Sequence, residues 1–164
     1  MQIKKLIKDN SIIIGSLLTI FFLDRVSKLY VIHIHNINNN SEIFLSKFLN
    51  IHLIWNEGVA FGLLSFNEEL FYNILTFVIA IICLVIIFEI KKNRSFKKYS
   101  LVMVLGGAFG NLFDRLIYNA VPDFIDFHVG NFHWFIFNVA DVFISLGIIF
   151  LIYNELFVIK KKYD

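Results

Sequence analysis

Residues 70–88, LFYNILTFVIAIICLVIIF, form an unbroken run of 19 residues without a charged side chain. A helix of about 20 predominantly apolar residues is long enough to cross the hydrocarbon core of a bilayer. In the whole 164-residue chain 58% of the residues are hydrophobic and 17% are charged, whereas about a quarter are charged in a typical soluble domain. We therefore predict a membrane protein and, at this length, a single domain.

Three shorter uncharged runs accompany this segment, and each can span a bilayer only if it continues into polar residues at one end. A further stretch, residues 48–55, is rich in β-branched and aromatic residues and is typical of short strands. The fold class that we predict is an all-α polytopic membrane protein with four transmembrane helices. These helices are expected over residues 10–32, 68–90, 97–117 and 138–159.

The N-terminus resembles a signal sequence, because Lys4, Lys5 and Lys8 precede an apolar run that begins at Ser11. No small-residue cleavage site follows, since residues 21–25 (FFLDR) stand where one would be needed. We interpret this segment as an uncleaved first membrane helix.

Basic residues predict the orientation of the helices. Eleven of the 15 Lys and Arg residues fall in three groups, at residues 4–8, 91–98 and 160–162. Cytoplasmic connections of membrane proteins carry an excess of Lys and Arg. Both termini are therefore expected in the cytoplasm, and the connections over residues 33–67 and 116–137 outside it.

In this topology every polar interruption falls at the outer end of a helix. From Ser11 to Asp24 there are 13 residue steps, or about 20 Å at about 1.5 Å per residue, within a hydrocarbon core of about 30 Å. Asp24 is therefore expected within the outer leaflet. Asp114, Arg115 and Asp141 are predicted to join it, so that a polar cluster forms at one depth.

Asp123 and Asp141 are the candidate catalytic residues, because ionisable groups at the edge of a bilayer are costly and usually functional. Two carboxylates that share a site retain one proton between them, so one can act as general base and the other as general acid. We predict a dyad that hydrolyses a peptide bond at the membrane surface. Helix capping by Asn138 and Asp141 alone explains Asp141 equally well, and Asp126 is a rival for the role of Asp123.

Residues 106–115, GGAFGNLFDR, combine two kinds of signal. Gly106 and Gly110 have the small-xxx-small spacing that allows close helix packing. Asn111, Asp114 and Arg115 stand on one helix face. We favour a supporting role for these polar residues over a direct chemical role. An Asp114–Arg115 pair could be purely structural, or it could hold in position the outer connection that carries Asp123.

Two further polar features are ambiguous from the residues alone. Asp24 and Lys28 form an i, i+4 pair that is either a simple helix pair or a functional site within the membrane. Residues 56–62, NEGVAFG, have the composition of a turn, whose backbone and Asn56 amide could bind a peptide.

His128 and His133 lack the spacing of a metalloprotease motif. We therefore expect no metal ion and no cofactor.

Together these blocks resemble the lipoprotein signal peptidase family, also called signal peptidase II. The matching segments follow the family order over nearly the whole chain. They are Asp24 with Lys28, Asn56-x-Gly58-x-Ala60-Phe61-Gly62, Gly106-Gly107-x-x-Gly110-Asn111-x-x-Asp114-Arg115, Val121-x-Asp123-Phe124 and Phe137-Asn138-x-Ala140-Asp141. Two positions depart from the family pattern, since Arg25 stands where many members have Gln and Pro122 where Val is usual.

The resemblance implies an aspartic endopeptidase of the bacterial inner membrane that acts near the outer leaflet. It would remove the signal peptide from diacylglyceryl-modified prolipoproteins, cleaving just before the lipidated cysteine. The family's catalytic dyad falls on Asp123 and Asp141, and the family fold adds a small β-platform on the outer face. The residues expected to bind substrate or support the dyad are Asp24, Lys28, Asn56, Gly58, Asn111, Asp114, Arg115 and Asn138. The expected partners are the lipid-modified substrate and membrane lipid, with no nucleic acid, and the protein is expected to be a monomer.

Two other classes of protein also carry acids within membrane helices. A small transporter or ion-conducting protein could use Asp24 and Asp114 to line a path, but such sites lie near the midplane and arise from internal repeats, and no repeat is visible. A structural subunit explains the glycines, yet gives no reason for several acids at one end of the helices.

Overall fold

The computed structural model describes residues 2–37, 42–58, 68–93, 96–130 and 132–159. These residues form four α-helices and one four-stranded sheet. In chain order the elements are α1 (Gln2–Ile37), β1 (Ile43–Ser46), β2 (Leu49–Asn56), α2 (Glu68–Lys92), α3 (Phe96–Tyr118), β3 (Val121–Val129), β4 (Phe132–Phe137) and α4 (Val139–Tyr153), which continues as a π-helical segment, Asn154–Ile159.

Three helices among the described residues are long and apolar enough to cross a membrane. They are Glu69–Lys92, Phe96–Tyr118 and Val139–Phe157. Along α2 large apolar side chains such as Phe77, Leu84 and Phe88 are exposed, which is favourable where the surrounding medium is lipid. The helix α1 extends at both ends beyond the predicted residues 10–32 and carries Asp24, Arg25 and Lys28 within it. A fourth span therefore stays a prediction.

Polar contacts show that the helices alternate in direction. Near their N-terminal ends α1 and α3 are joined by Lys98 Nζ, which lies 2.7 Å from Asp9 Oδ2. Near their C-terminal ends Lys28 Nζ lies 2.6 Å from Asp114 Oδ2, so α1 and α3 run parallel. The hydroxyl of Tyr72, in the first turns of α2, donates to the carbonyl of Arg115 near the end of α3, at 3.1 Å. Accordingly α2 runs opposite to α3.

The sheet is antiparallel, with the strand order β1-β2-β3-β4. The strand β2 covers most of the stretch for which strands were predicted, and the sheet matches the small β-platform that the family resemblance implied. Asp123 lies within β3, where it pairs with Ile54 of β2. Within the predicted outer connection over residues 116–137, Asp123 is therefore a strand residue, because the chain from Val121 onward is extended and hydrogen-bonded to β2.

Two apolar clusters hold the sheet and helices together. Phe124 of β3 packs with Leu53 of β2 and Val31 of α1, which fixes the sheet against the C-terminal part of α1. The other cluster joins α1, α2 and α3 through Ile13, Cys83, Ile90, Leu101, Val102 and Leu105. Cys83 is buried in this cluster, so it serves as a packing residue.

Glycines let α3 approach its neighbours closely. A Cβ atom on Gly107 would collide with the Ala140 carbonyl oxygen of α4 and lie 2.8 Å from Ile144. A Cβ atom on Gly110 would collide with the Asp24 carboxylate of α1. Gly107 and Gly110 therefore bring the polar ends of α1 and α4 against α3. The pair with the predicted small-residue spacing, Gly106 and Gly110, packs against α1, since a Cβ atom on Gly106 would lie 2.9 Å from Ile20 Cγ2.

Candidate active site

Asp123 is held by two side-chain amides. Asn56 Nδ2 donates to Asp123 Oδ2 at 2.9 Å, and Asn138 Nδ2 donates to Asp123 Oδ1 at 2.6 Å. The residue is only 4% exposed. Burial raises the pKa of the Asp123 carboxyl above its ordinary value, and the nearby charge of Asp141 acts in the same direction, while the two amide hydrogen bonds oppose them. Asp123 therefore holds a proton to higher pH than an ordinary aspartate.

Asp141 stands in the first turn of α4 and belongs to its N-terminal cap. The Asn138 side-chain oxygen accepts from the Asp141 backbone N–H at 3.1 Å, and the Asp141 carboxylate accepts from the Asn138 backbone N–H at 3.1 Å. This reciprocal pattern is a capping box. The predicted capping role is therefore confirmed. Because the N-terminal end of a helix carries partial positive charge, this position favours an ionised carboxylate.

Asn138 connects the two candidate acids. Its amide nitrogen binds Asp123 while its amide oxygen and backbone bind Asp141. The residue is 0% exposed, so packing also restrains its side chain. The two carboxyl groups, 18 residues apart in the chain, are thus held by a single residue, which binds Asp123 through its side-chain amide and the Asp141 carboxylate through its backbone N–H.

Lys28 is the centre of a buried ionic network beneath the acids. Its Nζ donates to Asp24 Oδ2 at 2.8 Å, to Asn111 Oδ1 at 2.9 Å and to Asp114 Oδ2 at 2.6 Å. Lys28 and Asp114 are both 0% exposed. Arg25 donates to the second carboxylate oxygen of Asp114. Two cations therefore balance two anions, which a buried site requires because an unpaired charge there is very costly.

The network reaches the candidate dyad by two routes. Asn111, whose oxygen binds Lys28, donates from Nδ2 to Asp141 Oδ1 at 2.8 Å. Asp24 Oδ1 accepts from the Ala140 backbone N–H at 3.0 Å. Both routes fix the first turn of α4 against α1 and α3. The expected Asp24–Lys28 pair is present, but Lys28 and Arg25, rather than the expected Arg115, pair with Asp114 in the described part of the chain.

Arg115 instead lies beside the segment that begins at Asn56. Its guanidinium covers the ring of Tyr72, with 5.3 Å from Cζ to the ring centroid. Gly58 has a φ of +78°, which favours glycine, and a Cβ atom added there would lie 3.0 Å from Arg115 Nη1. Asn56 Oδ1 accepts from the Gly58 backbone N–H at 2.8 Å. The remaining predicted residues of this segment, at positions 60–62, lie outside the described residues.

Asp126, the rival acid, is engaged elsewhere. Both of its carboxylate oxygens lie within hydrogen-bond distance of His133 Nδ1, at 2.9 and 2.8 Å. Side chains three residues apart on a strand point to opposite faces, so Asp126 and Asp123 face different ways from β3. The geometry therefore favours Asp123 as the partner of Asp141.

Sequence reasoning missed the role of Arg25 in this network. Its guanidinium pairs with Asp114 and lies over the rings of Phe113 and Tyr118, at 5.3 and 5.7 Å from Cζ to the ring centroids. The only signal in the sequence was its departure from the family pattern. That signal gave no partner, because Arg25 and Asp114 lie 89 residues apart in the chain.

The chain matches a known family over most of its length. The model of the family described as "Signal peptidase (SPase) II" matches residues 16–157. A lipoprotein signal peptidase of Pelagibacter ubique is 47% identical over 146 residues, covering 89% of this chain and 88% of the relative. One from Francisella tularensis subsp. novicida is 36% identical over 122 residues, covering 72% of this chain and 76% of the relative. The chain belongs to the signal peptidase II family.

Solved structures agree with this assignment. A bacterial membrane enzyme determined by the in meso method at 1.9 Å resolution has a TM-score of 0.71 and 26% identity, covering 90% of this chain and 94% of that chain. A second such structure, at 2.3 Å resolution, has a TM-score of 0.69 and 28% identity, covering 89% and 88%. The family and the apolar helices together define a bacterial membrane enzyme.

Proposed function

We propose that the chain is an aspartic endopeptidase that removes signal peptides from prolipoproteins, with Asp123 and Asp141 as its catalytic dyad. The observation that carries the proposal is the pair of contacts made by Asn138, which binds both carboxyl groups at once. Family membership supports the reaction, since the relatives are lipoprotein signal peptidases, and the contacts of Asn138 with both carboxyl groups support the choice of residues.

The environments of the two acids support different protonation states. Asp141 lies in the first turn of a helix and accepts from Asn111 and from the Asn138 backbone, which favours its ionised form. Burial favours the protonated form of Asp123. We therefore assign Asp141 as the general base and Asp123 as the general acid.

These roles give a balanced hydrolysis. Asp141 takes a proton from a water molecule while the water oxygen bonds to the scissile carbonyl carbon. The carbon–nitrogen bond then breaks as Asp123 gives its proton to the leaving amine. Asp141 is then protonated and Asp123 ionised, and transfer of a proton from Asp141 to Asp123 through water restores the starting state. Asn138 and Asn111 keep the carboxyl groups in position throughout.

The lipid anchor of the substrate fits the position of the dyad. We propose that α1 is the fourth span and that the ends carrying the basic groups face the cytoplasm, since the parallel course of α1 and α3 agrees with this arrangement. The sheet and dyad then lie at the outer leaflet of the inner membrane. A diacylglyceryl-modified cysteine stays at that depth, and cleavage just before it would occur beside Asp123.

The direct test is cleavage of a synthetic diacylglyceryl prolipoprotein peptide by the purified chain. We expect Asp123→Asn and Asp141→Asn each to lower kcat by more than about a hundredfold, because each removes a proton-transfer group. Asp126→Asn should retain substantial activity. Glu89→Gln, which changes an exposed acid paired with Lys92, serves as the matched control and should behave as the wild type. Full activity in either dyad variant, or loss in Asp126→Asn without loss in Asp123→Asn, would refute the assignment.

A further inference from the structure

A second group of ionisable side chains lies on the sheet, apart from the dyad. Asp126 and His128 of β3 and His133 of β4 each offer a ligand atom, and these three atoms lie within 4.8 Å of one another. His128 and His133 are cross-strand partners. Their rings stack with centroids 5.0 Å apart and an angle of 24° between the ring planes. Both imidazoles lie near the Asp126 carboxylate.

The hydrogen bonding of this group is incomplete. Asp126 is 1% and His128 6% exposed. His128 Nδ1 is buried without a hydrogen-bond partner among the described residues, and it lies 3.9 Å from Asp126 Oδ2. His133 Nδ1, in contrast, lies within hydrogen-bond distance of the Asp126 carboxylate. A buried nitrogen left without a partner costs about 1–3 kcal/mol. A cation bound between this nitrogen and the carboxylate would remove that cost.

We propose that Asp126, His128 and His133 form a binding site for a divalent transition-metal ion of the Zn²⁺ type. Imidazole nitrogens and a carboxylate oxygen are ligands that Zn²⁺ favours, at about 2.0–2.2 Å, and three protein ligands leave a fourth position for water. Metal binding needs a deprotonated ring nitrogen on each histidine, so the ion competes with protons for this site. The half-exposed side chain of His133 gives the ion a route from solvent. This proposal replaces the expectation of no metal ion that was drawn from the histidine spacing.

The ion would act on stability rather than on peptide hydrolysis. It would join β3 to β4 through side chains on the face opposite to Asp123, and it would add a cross-link close to the tip of the β3–β4 hairpin. Because a ligand that binds only the folded protein raises its unfolding free energy, added Zn²⁺ should raise the Tm. The proposal is independent of the catalytic dyad, since its test does not use cleavage.

The test uses the full chain in detergent, without a histidine tag and after treatment with EDTA. Titration with Co²⁺, followed by its visible absorption, should show one bound equivalent that Zn²⁺ displaces. We expect His133→Gln and His128→Gln each to weaken Co²⁺ binding more than about tenfold, since loss of groups that only orient a metal's ligands already costs about that much. The rise of Tm with Zn²⁺ should disappear in His133→Gln.

His52→Gln is the matched control, because His52 is also on the sheet but pairs with Glu42 at 2.7 Å. It should keep the wild-type affinity for Co²⁺. Absence of Co²⁺ binding in the wild type would overturn the proposal, as would binding that survives His133→Gln. Since His133 is half-exposed, this variant is expected to fold even if His128→Gln does not, so the proposal remains testable.

Discussion

Asn138 donates a hydrogen bond from its side-chain amide to Asp123 Oδ1 at 2.6 Å while it caps the helix that carries Asp141. One residue thereby links the strand with one acid to the helix with the other. A change in the position of α4 is transmitted to Asp123 through this amide, so the geometry of the dyad depends on the cap.

Substitution of Asn138 can separate its two contributions. Ser is also a good N-cap residue, so Asn138→Ser should keep the helix start but lose the donor to Asp123. Asn138→Ala should lose both, with about 1 kcal/mol lower stability than Asn138→Ser. We expect kcat to fall in both variants and the free energy of unfolding to fall clearly only in Asn138→Ala. Equal stability of the two variants would contradict the capping contribution.

The pH dependence of cleavage should report the environment of Asp123. The hydrogen bond from Asn56 lowers the pKa of Asp123, so Asn56→Ala should raise that pKa further. Because Asp123 is assigned as the protonated partner, its pKa governs the alkaline limb of the profile of kcat/KM against pH. That limb should move to higher pH in Asn56→Ala. A shift of the acidic limb to higher pH, with the alkaline limb unchanged, would mean that Asp123 is the ionised partner and that the two roles are reversed.

Loss of Lys28 should destabilise the protein strongly. Lys28→Met leaves Asp24 and Asp114 buried with Arg25 as their one cationic partner among the described residues, and breaking a buried ion pair costs about 3–5 kcal/mol. The free energy of unfolding in detergent measures this effect. Lys92→Met is the control, because Lys92 forms an exposed pair with Glu89 that is worth about 0–1 kcal/mol. Similar losses in both variants would argue against a role of the buried network.

The close contact of α3 with α4 should make Gly107 intolerant of a side chain. Gly107→Ala forces its Cβ against the Ala140 carbonyl and Ile144, and such overpacking costs about 1–3 kcal/mol. Activity should fall with stability, because Ala140 directly precedes Asp141. In Gly15→Ala the new Cβ meets no neighbouring atom of the described residues within 4 Å, so Tm should stay constant or rise. Wild-type Tm and activity in Gly107→Ala would contradict the packing.

Local patterns explain what could be predicted from the sequence. The uncharged run at residues 70–88 predicted α2, and the spacing of Asn138 and Asp141 predicted the cap that the structure confirms. Asp24 and Lys28 form the expected pair. Each of these features depends on residues within a few helical turns, where chain geometry leaves few alternatives.

Contacts between distant segments could not be predicted from local patterns in the sequence. Asp114 pairs with Arg25 and Lys28 across 89 and 86 residues, rather than with the adjacent Arg115. The strand that holds Asp123 and the meeting of Asp126 with His133 depend on the register of β3 against its neighbours. A shift of one residue would turn each of these side chains to the other face.

The sequence by itself determined a bacterial membrane enzyme with apolar helices, a capped helix at Asp141 and the ordered motifs of its family. Only the tertiary structure decided which side chain binds Asp123, which cations neutralise Asp114 and which histidines reach Asp126. The physical reason is that helix formation and capping depend on neighbours in the chain, whereas partners of buried polar groups depend on how helices and strands pack. Buried charges select those partners strictly, because an unpaired one is costly.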